Sequence, residues 1–159
     1  MSSSTDVRTN TSTDSSDVST IDMALEVVQL PVADIERAKQ FYSSLGWRFD
    51  IDLVVSDDLR TVQFTPPHSA CSIQFGKGRT MAAPGSAQGM FLVVSDMDAA
   101  REDLLRRGVE VSEVAVNRPP GLDAPGRSYF AQASFRDPDG NSWVLQEVTN
   151  RLPGRTWED

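Results

Sequence analysis

Spacing constrains this sequence more than any other feature. Val32, Asp34, Ala38 and Gly46 answer to Val94, Asp96, Ala100 and Gly108 at an offset of 62, and Pro66, Ser69 and Gln74 pair with Pro138, Asn141 and Gln146 at an offset of 72. Two constant offsets parted by one shift of ten residues mark a duplicated unit with an inserted loop. AVNRPPGLDAPGR, near residues 115–127, is the segment expected to hold the extra residues. The first unit opens on EVVQLPV, a short strand. Asp34 then stands where a helix N-cap belongs, Ile35, Ala38, Phe41, Tyr42 and Leu45 follow at helical spacing, and Gly46 stops the helix. After Gly46 the apolar period drops to two in WRFDIDLVV, LRTVQF and CSIQF. The second unit repeats the order: GMFLVV, the cap Asp96, a helix carrying Met97, Ala100, Leu104 and Leu105, the stop Gly108, then VEVSEV, SYFAQASF and SWVLQEV. The reading is α+β, with two tandem βαβββ modules at about 24–80 and 87–150 inside one domain, 23–150.

Length and charge narrow the function. A chain of 159 residues, 39% of them hydrophobic, has a core for one domain and not for two independent ones. The formal net charge of −8 argues against nucleic acid, whose phosphates call for clustered Lys and Arg. The longest apolar run near Met90, MFLVV, falls far short of the roughly 20 residues that span a bilayer, so no membrane role is expected. One cysteine, Cys71, cannot close an intrachain disulfide, and a cytoplasmic protein is expected. Residues 1–22 are nearly all Ser, Thr, Asp and Asn and read as a disordered tail; residues 151–159 read as a C-terminal extension.

The two modules, opened by LPVADIERAKQFYSSLGW and closed by FRDPDGNSWVLQE, resemble the glyoxalase/bleomycin-resistance/extradiol dioxygenase superfamily, the vicinal oxygen chelate proteins, over about residues 24–150. The resemblance implies curved sheets that form a cup-shaped mixed sheet with helices outside, and a homodimer. It leaves the reaction open, since the superfamily spans lyases, epimerases, dioxygenases, thiol transferases and drug-binding proteins. In its metal-dependent members the first and last strand of each module supply ligands that point into the cup. Those positions fall here on Val27, Ser72, Gly89 and Val144. Valine and glycine side chains cannot ligate, and a lone serine is a weak ligand for Zn²⁺, Ni²⁺ or Fe²⁺. Glu26 lies one residue from Val27 and Glu147 three from Val144, odd steps that by alternation aim both at the helix layer. No metal and no cofactor is therefore expected.

The same alternation puts Gln29, Gln74 and Gln146 on the cup side with Phe91. With Ser72 and Val144 these residues form the expected ligand-binding set: neutral amides, a hydroxyl and a ring suited to an uncharged or aromatic small molecule. Of Trp47 and Phe49, and of Tyr129 and Phe130, one of each pair is expected to line the cup. His68, the sole histidine, falls in the turn TPPHSA and reads as an exposed turn residue; Cys71 reads as a small core residue. DPDGN lacks the spacing of a calcium loop, and Pro138 with Gly140 explains its turn. The leading expectation is a metal-independent protein that binds a small molecule in the cup, similar to drug-sequestering relatives. A metal-free lyase, isomerase or cyclase of secondary metabolism, using amides as oxyanion donors and Glu26 or Glu147 as base, is the alternative. A metal-dependent enzyme comes third.

Overall fold

A computed structural model describes residues 19–120 and 126–151. Most of the tail expected at 1–22, most of the extension at 151–159 and the centre of the inserted loop lie outside the described residues. The first module runs β1 (Val27–Gln29), α1 (Ile35–Ser44), β2 (Arg48–Ser56), β3 (Leu59–Thr65) and β4 (Ser72–Lys77). The second runs β5 (Met90–Val94), α2 (Met97–Arg106), β6 (Ala115–Val116), β7 (Ala131–Arg136) and β8 (Ser142–Glu147). Each module forms a four-stranded mixed sheet, in the orders β1-β4-β3-β2 and β5-β8-β7-β6. In both, the first strand pairs in parallel with the last. The α+β class and the tandem βαβββ modules are as the sequence leads one to expect.

Local chemistry sets the helix ends. Asp34 and Asp96 accept hydrogen bonds from the backbone N–H groups of Arg37 and Ala99, satisfying donors that a first helical turn leaves free. Gly46 and Gly108 follow the helices at φ 76° and 84°, a conformation that other residues adopt only at a cost.

Two expectations need correction. VEVSEV is not a strand: only Ala115–Val116 pairs with β7, while Ser112 ties that segment to Ser134 by backbone and side-chain hydrogen bonds. The ten extra residues are also divided. Gln63 and Gln132, which face Gln74 and Gln146 across their hairpins, are 69 residues apart. Seven of the extra residues thus precede β7, and three lengthen the β7–β8 hairpin.

That longer hairpin joins the modules. Asp137, 5% exposed, accepts from the backbone N–H groups of Asp139 and Asn141, which closes the turn. Its Oδ2 also accepts from Asn141 Nδ2 and from the hydroxyl of Tyr42 on α1, each at 2.8 Å. Asn141 is fully buried; it donates to the Pro31 carbonyl and accepts from the Ala87 N–H. Gly85 N–H reaches the same Pro31 carbonyl.

The helix-facing sides of both sheets meet in a single core. The ring of Tyr42 lies 5.7 Å from Phe75 and 6.3 Å from both Phe64 and Trp143, so one side chain of α1 touches both sheets. Phe41 reaches Phe135, and Trp47 meets Trp143 edge to face at 5.1 Å. Val62, Ile73, Ala131, Ala133 and Leu145 complete that core.

Candidate functional site

The face of each sheet turned away from this core is the candidate site. On the first module, pairing of Val27 with Ser72, Gln29 with Gln74 and Gln63 with Gln74 sets these side chains on one face, while Phe64 and Ile73 point into the core. A register shift between Phe49 and Ile51 marks a bulge at Asp50. The bulge turns Asp50 onto the polar face, where Gln63 Nε2 donates to its Oδ2 at 2.9 Å and the Thr65 hydroxyl donates to the same oxygen. Arg48 donates to the other oxygen of Asp50.

Three amides and a carboxylate make a directed chain. Gln29 Nε2 donates to Gln74 Oε1 at 2.6 Å, and Gln74 Nε2 donates to Gln63 Oε1 at 2.7 Å. Gln63 in turn donates to Asp50. A shorter branch runs through Ser72, whose hydroxyl lies 2.7 Å from that of Thr65. Burial raises the Asp50 carboxyl's pKa, but hydrogen bonds from Arg48, Thr65 and Gln63 outweigh it and hold the group below its ordinary value. An ionised carboxylate only accepts, so each amide in turn must point its NH₂ toward Asp50. Arg79, from the linker after β4, adds a donor to Gln74 Oε1 at 3.0 Å.

The second module's face has a different character. Phe91 pairs with Val144 and Val93 with Gln146, and Gln132 and Ser134 face those positions from β7. Phe91 and Val93 are 54% and 49% exposed, and Ile51 and Leu53 on the first face are 41% and 47% exposed. Gln146 Nε2 donates to the Tyr129 carbonyl. One chain thus carries a polar face and a more apolar face, both open. An apolar cavity of about 210 Å³ lies elsewhere, on the helix side among Trp47, Pro66, Leu92, Leu104, Phe135 and Leu145. It is smaller than the roughly 300–1,000 Å³ of an ordinary ligand pocket.

The six residues expected to bind a ligand fall into two sets. Gln29, Ser72 and Gln74 come together on the first sheet, and Phe91, Val144 and Gln146 on the second. Asp50, Gln63, Thr65 and Arg79 are additions. Alternation in LRTVQFT could have found Gln63 and Thr65; Asp50 is hidden by the bulge, and Arg79 lies beyond any strand. Trp47 and Phe49 do not divide between faces: two residues apart, both turn toward the helix layer, Trp47 against Trp143 and Phe49 against Phe64.

The two glutamates weighed as bases are not on these faces. Glu147 is 6% exposed, accepts from the Met97 N–H at the start of α2 and pairs with Arg127 at 2.9 Å. The Met97 N–H foremost, then Arg127, hold its carboxyl below the usual value against the opposing effect of burial. Glu26 is exposed. His68 is exposed at φ 61°, as a turn residue. Cys71 is half-buried, and burial, then the charge of Glu26, push its thiol up.

The four positions to which the resemblance assigns ligands hold Val27, Ser72, Gly89 and Val144, a set with one hydroxyl that does not fit a divalent ion; Val27 stands beside Ser72, while Phe91 rather than Gly89 stands beside Val144. Among the described residues no cluster of three or more His, Cys, Asp or Glu side chains could hold a metal, and no helix is long and apolar enough to cross a membrane.

A family model described as the Glyoxalase/Bleomycin resistance protein/Dioxygenase superfamily matches residues 24–145. Among solved structures, the chain is 30% identical to TnmS3, an antibiotic binding protein from Streptomyces sp. CB03234, covering 80% of this chain and 97% of that one at a TM-score of 0.62. A glyoxalase/bleomycin resistance protein from Streptomyces sp. CB03234 is also 30% identical, with 77% and 99% covered and a TM-score of 0.60. UcmS2 is 27% identical, with 79% and 98% covered and a TM-score of 0.61. No curated protein matches the chain.

Proposed function

The chain belongs to the Glyoxalase/Bleomycin resistance protein/Dioxygenase superfamily, and from that premise we propose that it binds a small organic molecule of the antibiotic kind, without a metal ion. One observation carries the reading: the two faces present amides and an exposed phenyl ring, and the positions to which the resemblance assigns metal ligands, Val27, Ser72, Gly89 and Val144, offer one hydroxyl between them. Such a lining favours burial, stacking and neutral hydrogen bonding over polarisation of a substrate oxygen. The likeness to an antibiotic binding protein over nearly that protein's whole length supports it. Glu147, weighed as a base, is buried against the start of α2 and paired with Arg127, and Asp50, the carboxylate on the polar face, is engaged by Arg48, Thr65 and Gln63, which weighs against the lyase or isomerase alternative.

The apolar residues left open on the two faces support a homodimer, in which a second copy covers Ile51, Leu53, Phe91 and Val93 and closes the cup. Two measurements test the proposal. Protein purified without chelator is expected to contain no stoichiometric Ni, Zn, Fe or Mn by elemental analysis. A panel of aromatic antibiotics is then screened by melting temperature, and each stabilising compound is recovered and weighed by mass spectrometry. Unchanged recovery supports binding; a converted compound, or a stoichiometric metal, overturns the reading.

A further inference from the structure

The directed amide chain has an open end. Asp50 at one end and Arg79 in the middle can only accept and only donate, respectively, so neither Gln74 nor Gln29 is free to turn its amide over. The carbonyl oxygen Gln29 Oε1 is left over. It is buried and has no hydrogen-bond partner, and the same holds for Arg79 Nε, an N–H donor. Gln29 Nε2 and a terminal NH₂ of Arg79 converge on one atom, Gln74 Oε1, at 2.6 and 3.0 Å, which brings together the two side chains that carry the orphan acceptor and the orphan donor.

Unmet buried groups of this sort destabilise a protein, and a ligand that satisfies both regains that free energy on binding. We propose that Gln29 and Arg79 form a recognition edge for a ligand that carries an N–H donor beside a carbonyl acceptor, the edge of a lactam, an imide or a carboxamide. Gln29 Oε1 reads the N–H and Arg79 reads the carbonyl. The ligand reaches them by turning the Arg79 side chain, which one hydrogen bond holds on Gln74. This inference rests on the reading that the cup face binds small molecules, and it adds the polar group that the face selects.

The test uses 2-quinolinone and its N-methyl derivative, which share ring and carbonyl and differ in the N–H. Affinities are followed by ligand fluorescence, with NMR shifts of the Gln29 and Gln74 side-chain amides locating the site. Wild-type protein is expected to prefer 2-quinolinone by at least about tenfold. Gln29→Met should abolish that preference, and Arg79→Met should weaken both compounds by a similar factor. A side chain that merely supports the sheet would not separate the two compounds. Equal binding of both by the wild type overturns the edge and leaves the small-molecule reading standing. Failure of both quinolinones to bind also overturns the edge; the broader reading falls only if the antibiotic panel fails too.

Discussion

The oxygen of Tyr42 is the point at which the two modules are most economically separated. It donates to the buried carboxylate of Asp137 at 2.8 Å and accepts from Trp143 Nε1 at 3.1 Å. Burial above all, and then the charge of Asp137, keep the phenol protonated far above its ordinary range, so the hydroxyl is a donor at every working pH. Tyr42→Phe deletes this oxygen and leaves the ring packed. A hydrogen bond to a charged group contributes about 1.5–3 kcal/mol, and the Trp143 N–H, in a ring only 3% exposed, becomes an orphan at about 1–3 kcal/mol. Cheaper burial of a phenyl ring offsets part of this. The expected loss is about 2–4 kcal/mol, or a fall in Tm of about 4–16 °C. Guanidinium unfolding followed by tryptophan fluorescence measures it. In a Trp143→Phe background the same change should cost less, because no N–H remains to be orphaned. A loss below about 1 kcal/mol, or strict additivity of the two changes, would refute the argument that this oxygen clamps the modules.

Two further outcomes follow from the same junction and from the end of β8. Gly85→Ala places a Cβ 2.1 Å from the Asp139 carbonyl oxygen at φ +79°, so the linker must leave the hairpin; thermal unfolding should show a loss of more than about 3 kcal/mol, and a near-neutral result would mean the linker is not held there. The folded-state pKa of Glu147 is depressed, so its contribution is fully present above the unfolded value and lost as pH falls through the folded one. Between neutral pH and about pH 3, wild-type protein should therefore lose more stability in urea than Glu147→Gln, and parallel losses would contradict the assignment.

The repeat, the helix caps and the cup-side parity of Gln29, Ser72, Gln74, Phe91, Val144 and Gln146 were all legible in the sequence, because each follows from a period or an offset. Three features were not. The bulge at Asp50 breaks the alternation on which face assignments rest, so the residue that orients the amide chain looked like any polar strand residue. VEVSEV alternates as a strand does, yet it holds to β7 through Ser112 and Ser134 instead of a ladder, a matter of tertiary partners that periodicity does not carry. The three residues that lengthen the second hairpin escape the repeat count as well, because the offset of 72 is read along the turn and β8 and does not say which residue of β7 stands opposite.

Those three residues explain why a duplicated unit does not make a symmetric protein. In the first module the β3–β4 hairpin is shorter between its facing glutamines, and its left-handed turn residue, His68, stays exposed. In the second, the extra length carries Asp137 and Asn141 across to Tyr42 and Pro31, where both side chains are buried. The clasp is therefore one-sided: among the described residues the second hairpin hydrogen-bonds into the first module, and the β3–β4 hairpin makes no such side-chain bond in return. With the second hairpin committed to holding the modules together, the polar chemistry of the first module is free to face outward, where Asp50 gathers Gln63, Thr65 and Arg48 on the open side of the sheet. The second sheet meets solvent with Phe91 and Val93 instead. A cup assembled from one face of each kind would offer one polar wall and one apolar wall, and it would select a ligand by orientation as well as by size.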